Sequence, residues 1–273
     1  MINSLYSGIT GLNAATQRMG VIGDNIANVN TTAYKGSELS FESLIMQSVG
    51  GYTGQEIGGG VMLGDLSYDW NQGTMQKTSN PLDMAIAGSG FFQVQDPADA
   101  NKLYYTRDGE FSVDPLTGYL VTSSGMRVMG CDPATTPPVA TPILVPPDSA
   151  TPSPSFQNVS VDAKGIYTFT DSDTTLTPTK MQIVLFDVTD KSSMAKMNSN
   201  LYKKTTDATD PLASGFPGTF GLGAVEPGSL EMSNVDIAKE FVNMITAQRA
   251  FSASSKVITT SDEILQELIS LKR

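Results

Sequence analysis

The sequence predicts an α+β fold, mainly β, in which long N- and C-terminal helices form a coiled-coil-like assembly domain beside a central antiparallel β domain. Three observations lead there. None of the 15 prolines lies before Pro81 or after Pro227, so both ends are free to be long helices. Both ends carry apolar residues at heptad spacing. Between them, short apolar segments alternate with turn signals at hairpin spacing. The helical assembly domain is assigned to residues 1–35 and 230–273. The β-rich domain is assigned to 36–229, with a proline-rich connecting stretch at 131–154.

The first helix is predicted from about Ser4 to about Asn28. Leu5, Leu12, Met19 and Ile26 recur every seventh residue, and Met1, Gly8, Ala15, Ile22 and Val29 form the adjacent row. Small residues inside such a stripe let helices approach closely. At ~1.5 Å per residue this helix is roughly 37 Å long. Asn28-Val-Asn-Thr-Thr32 ends it, because Asn and Thr side chains compete for the backbone.

The last helix is predicted from about Val235 to about Leu271, with Ser233 or Asn234 as N-cap and Asp236 and Glu240 meeting the helix dipole. Ile237, Met244, Phe251, Ile258 and Leu265 form one apolar row. Ala247, Ser254, Ser261 and Leu268 form a smaller row beside it, and Ala250, Val257, Ile264 and Leu271 widen the stripe.

The middle reads as strands at Met84–Ala87, Phe91–Val94, Leu103–Thr106, Glu110–Val113, Gly118–Val121 and Met126–Met129. More follow at Phe156–Val161, Gly165–Thr170 and Met181–Val188. Arg107-Asp-Gly109, Asp114-Pro-Leu-Thr-Gly118 and Ser123-Ser-Gly125 supply turns. Gly215 to Gly223 is a Gly/Pro-rich loop leading to the last helix.

Composition narrows the chemistry. The chain lacks histidine and has one cysteine, Cys131, which removes His-dependent nucleophile activation, internal disulfides and Cys-cluster zinc sites. A net charge of −11 without basic clusters argues against nucleic-acid binding. No apolar run is long enough for a transmembrane helix, and the N-terminus has no secretory-signal pattern. Gly58-Gly-Gly60 reads as a loop rather than a phosphate cradle, and Asp171-Ser-Asp173 as a solvated turn rather than a calcium loop. Asp108 and Glu110 flank Gly109 as a nominal acid/base pair but read as a turn. The expectation is therefore no catalytic residue, no cofactor, no metal and no enzymatic activity.

The terminal stripes are the stronger signal. Residues 1–30 contain only Arg18 and Asp24 as charges, too few for a helix with a solvated face. Packing of the two helices as an ordinary core is one reading; assembly with copies of the same chain is the other, and the one favoured. The assembly residues expected on it are Leu5, Ile9, Leu12, Met19, Ile22, Ile26, Ile237, Phe241, Met244, Phe251, Ile258 and Leu265.

Seven stretches carry a family resemblance: Ser4–Ala14, Val21–Lys35, Asp83–Phe92, Tyr105–Phe111, Gly118–Thr122, Gly228–Asp236 and Met244–Phe251. In this order they resemble the signatures of the bacterial flagellar rod and hook axial proteins. Within that family, Thr260–Leu268 and Gln55–Asn80 are most similar to the hook protein, here in a short form without a large outer domain. Ile143–Tyr202 is arranged more as in rod proteins. The resemblance implies a non-enzymatic subunit of the flagellar hook, polymerising into a helical tube that transmits torque and passes exported subunits. A distal rod protein or a junction adaptor is the alternative. It implies copies of itself and other rod, hook and junction proteins as partners, no membrane insertion, and delivery by the flagellar type III exporter without a cleaved signal peptide.

Overall fold

The computed structural model describes residues 2–48, 56–132, 140–145, 158–170, 179–188, 190–205 and 213–271. The chain forms two compact units. The first comprises Met1–Asn30, Lys35–Asp69 and Val235–Arg273, the second Thr31–Tyr34 and Trp70–Asn234. Residues 37–68, assigned from sequence to the central β region, therefore group with the helices.

In the first unit, helix α1 spans Ile2–Ala27 and helix α2 spans Ile237–Leu271. Asp236 caps α2: its Oδ1 accepts the backbone N–H of Ala238 at 2.8 Å and of Lys239 at 3.3 Å. The cap thus lies two residues beyond the nearer expected position, Asn234, whose N–H is taken by the Tyr34 carbonyl. Strands β1 (Ser37–Ser48) and β2 (Glu56–Tyr68) form a long antiparallel hairpin with three register irregularities. The glycine run at 58–60 lies within β2, not in a loop. The reason is contact with α1. Gly60 has φ +111°, and a Cβ there would fall 2.2 Å from Thr10 Oγ1. Thr10 Oγ1 also accepts the Val61 N–H, and Asn25 exchanges bonds with the Ser37 backbone, so the hairpin is tied along the helix.

The second unit is an antiparallel β domain, as the turn spacing predicts. Its sheet runs in the order 158–161, 166–170, 179–183, 127–131, 91–95, 103–106, 201–204 and 194–196. Phe91–Gln95 is central and buried on both faces. Phe92 and Val94 point into a core with Met84, Phe111, Leu120, Tyr167 and Leu185; Phe91 points into a second core with Tyr105, Tyr202 and Trp70. This alternation into two apolar layers is the period-2 geometry of a strand covered on both sides. The Tyr167 hydroxyl reaches Met84 Sδ at 2.9 Å, and burial raises the pKa of that phenol. Of the proline-rich stretch, Thr141–Pro142 pairs with Met129–Gly130 at a sheet margin, where proline is tolerated. Its residues 133–139 and 146–154, the turn at Asp171-Ser-Asp173 and the start of the strand expected from Phe156 lie outside the described residues.

Candidate assembly surface

α1 and α2 pack on one another within the chain. A Cβ on Gly8 would lie 2.9 Å from Ile258 Cγ1, and one on Gly11 would lie 2.9 Å from Ser254 Oγ. Ascending positions on α1 meet descending ones on α2, so the helices run antiparallel. The two heptad rows of α1 are the two sides of one seam: Leu5, Gly8, Leu12, Ala15, Met19, Ile22 and Ile26 are all buried or half-buried. On α2 the corresponding series is Met244, Ala247, Phe251, Ser254, Ile258, Ser261 and Leu265. Its spacing of alternating three and four residues is that of knobs-into-holes packing.

The twelve expected assembly residues thus fall into two groups. Ile22 is buried, and Leu5, Leu12, Met19, Ile26, Met244, Phe251, Ile258 and Leu265 are half-buried inside the unit. Ile9, Ile237 and Phe241 are exposed. Sequence reasoning left out of the set further exposed apolar residues of α2: Val242 and Ile245 near its start, then Val257, Ile264, Leu268, Ile269 and Leu271. Val257, Ile264 and Leu271 belong to the row that widened the sequence stripe, so the signal was visible. Heptad periodicity alone does not say which of two adjacent rows faces the partner helix. β2 adds Met62, Leu63 and Leu66, all exposed. At 35 residues α2 is about 52 Å long against about 39 Å for the 26 residues of α1, so its last turns extend past α1.

In the second unit, three resemblance-bearing stretches meet in a buried polar knot. Arg107 Nη1 lies 3.3 Å from Glu231 Oε2, with both side chains almost wholly buried. Glu231 Oε1 accepts the Gly73 N–H, and the Glu231 carbonyl accepts the Ala33 N–H. Asn200 Nδ2 donates to the Thr32 carbonyl, and the Lys196 ammonium sits 4.0 Å above the Tyr34 ring. Asp108 belongs to this knot and not to a cleft. Its carboxylate accepts the Glu110 N–H at 3.2 Å, while Glu110 itself is exposed. Burial raises the Asp108 pKa. The Glu110 N–H and the Thr32 hydroxyl oppose the rise, and the charges of Glu110 and Asp83 add to it. Among the described residues no group of three or more acidic or thiol side chains is placed to hold a metal ion, and no helix is long and apolar enough to cross a membrane.

Three family models match in chain order: the flagellar basal body rod protein model over residues 5–35, the D1 domain of the flagellar hook protein FlgE/F/G over 85–169, and the C-terminal model of flagellar basal body rod FlgEFG proteins over 226–271. The flagellar basal-body rod protein FlgG of Bacillus subtilis is 38% identical over 283 residues, covering 100% of both chains. The chain belongs to the flagellar rod and hook protein family. A second FlgG, from Buchnera aphidicola subsp. Baizongia pistaciae, is 37% identical over 98% of this chain and 99% of its own. The flagellar hook protein FlgE of Treponema pallidum is 38% identical, but over only 48% of this chain and 30% of its own length.

These matches favour the rod alternative over the hook reading. The similarity to rod proteins runs end to end, whereas the similarity to the hook protein stops at half of the chain. The protein is a structural component of the flagellar axis, and its family is not an enzyme family.

Proposed function

We propose that this chain is a distal rod subunit of the flagellar basal body, many copies of which polymerise into a helical tube that carries torque and passes exported subunits. One observation carries the choice of rod: end-to-end similarity to proteins named as rod proteins. Physical chemistry supports the polymer. Val257, Ile264, Leu268, Ile269 and Leu271 of α2 form an apolar stripe that the described residues leave exposed. Covering it against a neighbour stabilises the assembly by ~25 cal/mol per Å² of apolar surface removed from water. A head-to-tail contact that does not close as a ring generates a filament. Terminal helices of successive copies then line the tube, with Leu5, Ile9, Leu12, Met19, Ile22, Ile26, Ile237, Phe241, Met244, Phe251, Ile258 and Leu265 forming or backing the contact. Partners are further copies and the adjoining rod, hook and junction proteins. Delivery is through the flagellar type III exporter.

Electron microscopy of basal bodies from cells lacking the gene tests the assignment. The expected result is a truncated rod with no hook attached. A full-length rod that merely lacks its hook would make the protein a hook subunit instead.

A further inference from the structure

Four non-glycine residues among those described have positive φ: Ala33, Ser199, Asn200 and Phe220. Three have a reason inside the chain. Ala33 is buried, with its N–H bound to the Glu231 carbonyl. Ser199 and Asn200 form the turn between two paired strands, and the Asn200 side chain bonds Thr32. Phe220 has none of this. Its φ is +53°, and it is 89% exposed.

The loop around it is nonetheless well held. The Leu222 N–H bonds the Thr219 carbonyl at 2.9 Å, and Gly221 follows with φ +80°, so Phe220 and Gly221 form the centre of a tight turn of the type that favours Asn or Gly. Gly218 N–H bonds Gly223 O, Gly223 N–H bonds Ser89 O, and Leu222 is sunk into the core. A Cβ on Gly215 would come within 3.2 Å of the Phe220 ring, so the missing side chain leaves the ring its place. Leu116, at 93% exposure, is the contrasting case. It sits in a turn capped by Asp114, with no left-handed backbone.

A bulky aromatic residue in a left-handed position is unfavourable, and leaving it in water gains nothing in return. Beyond its edge contact at Gly215, the ring is left in water by the described residues, so neither term is offset among them. We infer that Phe220 is an anchor by which the β unit grips a second copy of this chain. A copy is the fitting occupant because residues 211–225 carry no charged side chain in a chain of net charge −11. Identical acidic surfaces repel, so contact between copies concentrates where charge is absent. A pre-formed turn presenting one aromatic side chain has the character of an interface hot spot. This deepens the proposed polymer and rests on it.

The test compares the full-length protein with Phe220→Gly, Phe220→Asn and Phe220→Tyr, by thermal melting of dilute monomer and by critical concentration for polymerisation. Gly and Asn relieve the backbone, so their melting temperature is expected to rise by about 2 °C. Their critical concentration is expected to rise at least about tenfold, while Tyr stays near wild type. Gly and Asn variants that polymerise like wild type overturn the inference, as does a fall in their melting temperature, which would make Phe220 a residue of the fold. Loss of binding to lipid vesicles with unchanged polymerisation also overturns it, in favour of a membrane contact. A wild-type protein that does not polymerise at all refutes the polymer reading itself and is thereby told apart.

Discussion

At Glu231 one buried carboxylate serves stretches of chain that are far apart in sequence. It binds the Arg107 guanidinium, whose central carbon lies 5.2 Å from the centre of the Phe91 ring, and it accepts the Gly73 N–H. A buried ion pair repays its desolvation only when such extra bonds surround it, so the pair specifies geometry more than it adds stability. Asp108 next to it lacks a cation partner among the causes that shift it, and burial sets its direction. A carboxyl with a raised folded pKa favours the folded state while protonated. That contribution is complete below the ordinary carboxylate range and is lost as pH climbs through the raised value. Ionisation of Asp108 in the fold therefore costs stability. Asp108→Asn keeps an acceptor for the Glu110 N–H and removes the charge. Its denaturant midpoint at pH 7 should equal or exceed that of wild type, and the advantage should vanish in acid. A variant weaker at pH 7 than wild type would show that Asp108 gains a compensating partner when charged.

At the scale of elements, α1 shows how differently two glycines in one helix behave. A Cβ on Gly8 collides with Ile258, whereas one on Gly20 meets nothing within 4 Å. Gly8→Val should therefore destabilise the helix pair by about 1–3 kcal/mol. Gly20→Ala should stabilise it by about 0.5–1 kcal/mol through helix propensity. Urea unfolding followed by circular dichroism reads both, and equal effects would refute the packing of the seam. Both helices were legible from the sequence because a heptad stripe free of proline leaves few alternatives. The two rows of α1 were legible too, though not that they flank one seam. The β1–β2 hairpin was not, since glycines in a strand look like a loop until α1 is seen to lie against them. Nor was the knot, because burial of Arg107 and Glu231 depends on contacts 124 residues apart. The proposal of rod over hook rests on the extent of similarity, end to end against half of the chain, which no single motif reveals.

The whole molecule carries a net charge of −11, and in the proposed polymer each approaching copy meets that field. Salt shortens its reach from roughly 10 Å at 0.1 M to roughly 3 Å at 1 M. Apolar contacts lose nothing by this. Polymerisation followed by light scattering should therefore begin at lower protein concentration as sodium chloride is raised across that range. A rise in the critical concentration would mean that ion pairs, not the α2 stripe, hold the copies together. The path of the chain between its units has a consequence for how the molecule is made. Ala33 is held by Glu231, and Tyr34 by Asn234, so the β unit takes in a piece from near the start of the chain and a piece from near its end. A polypeptide emerging from the ribosome N-terminus first supplies the lock about two hundred residues before the key. Until the key arrives the β unit lacks these closing bonds, and its last fastening waits for the end of synthesis.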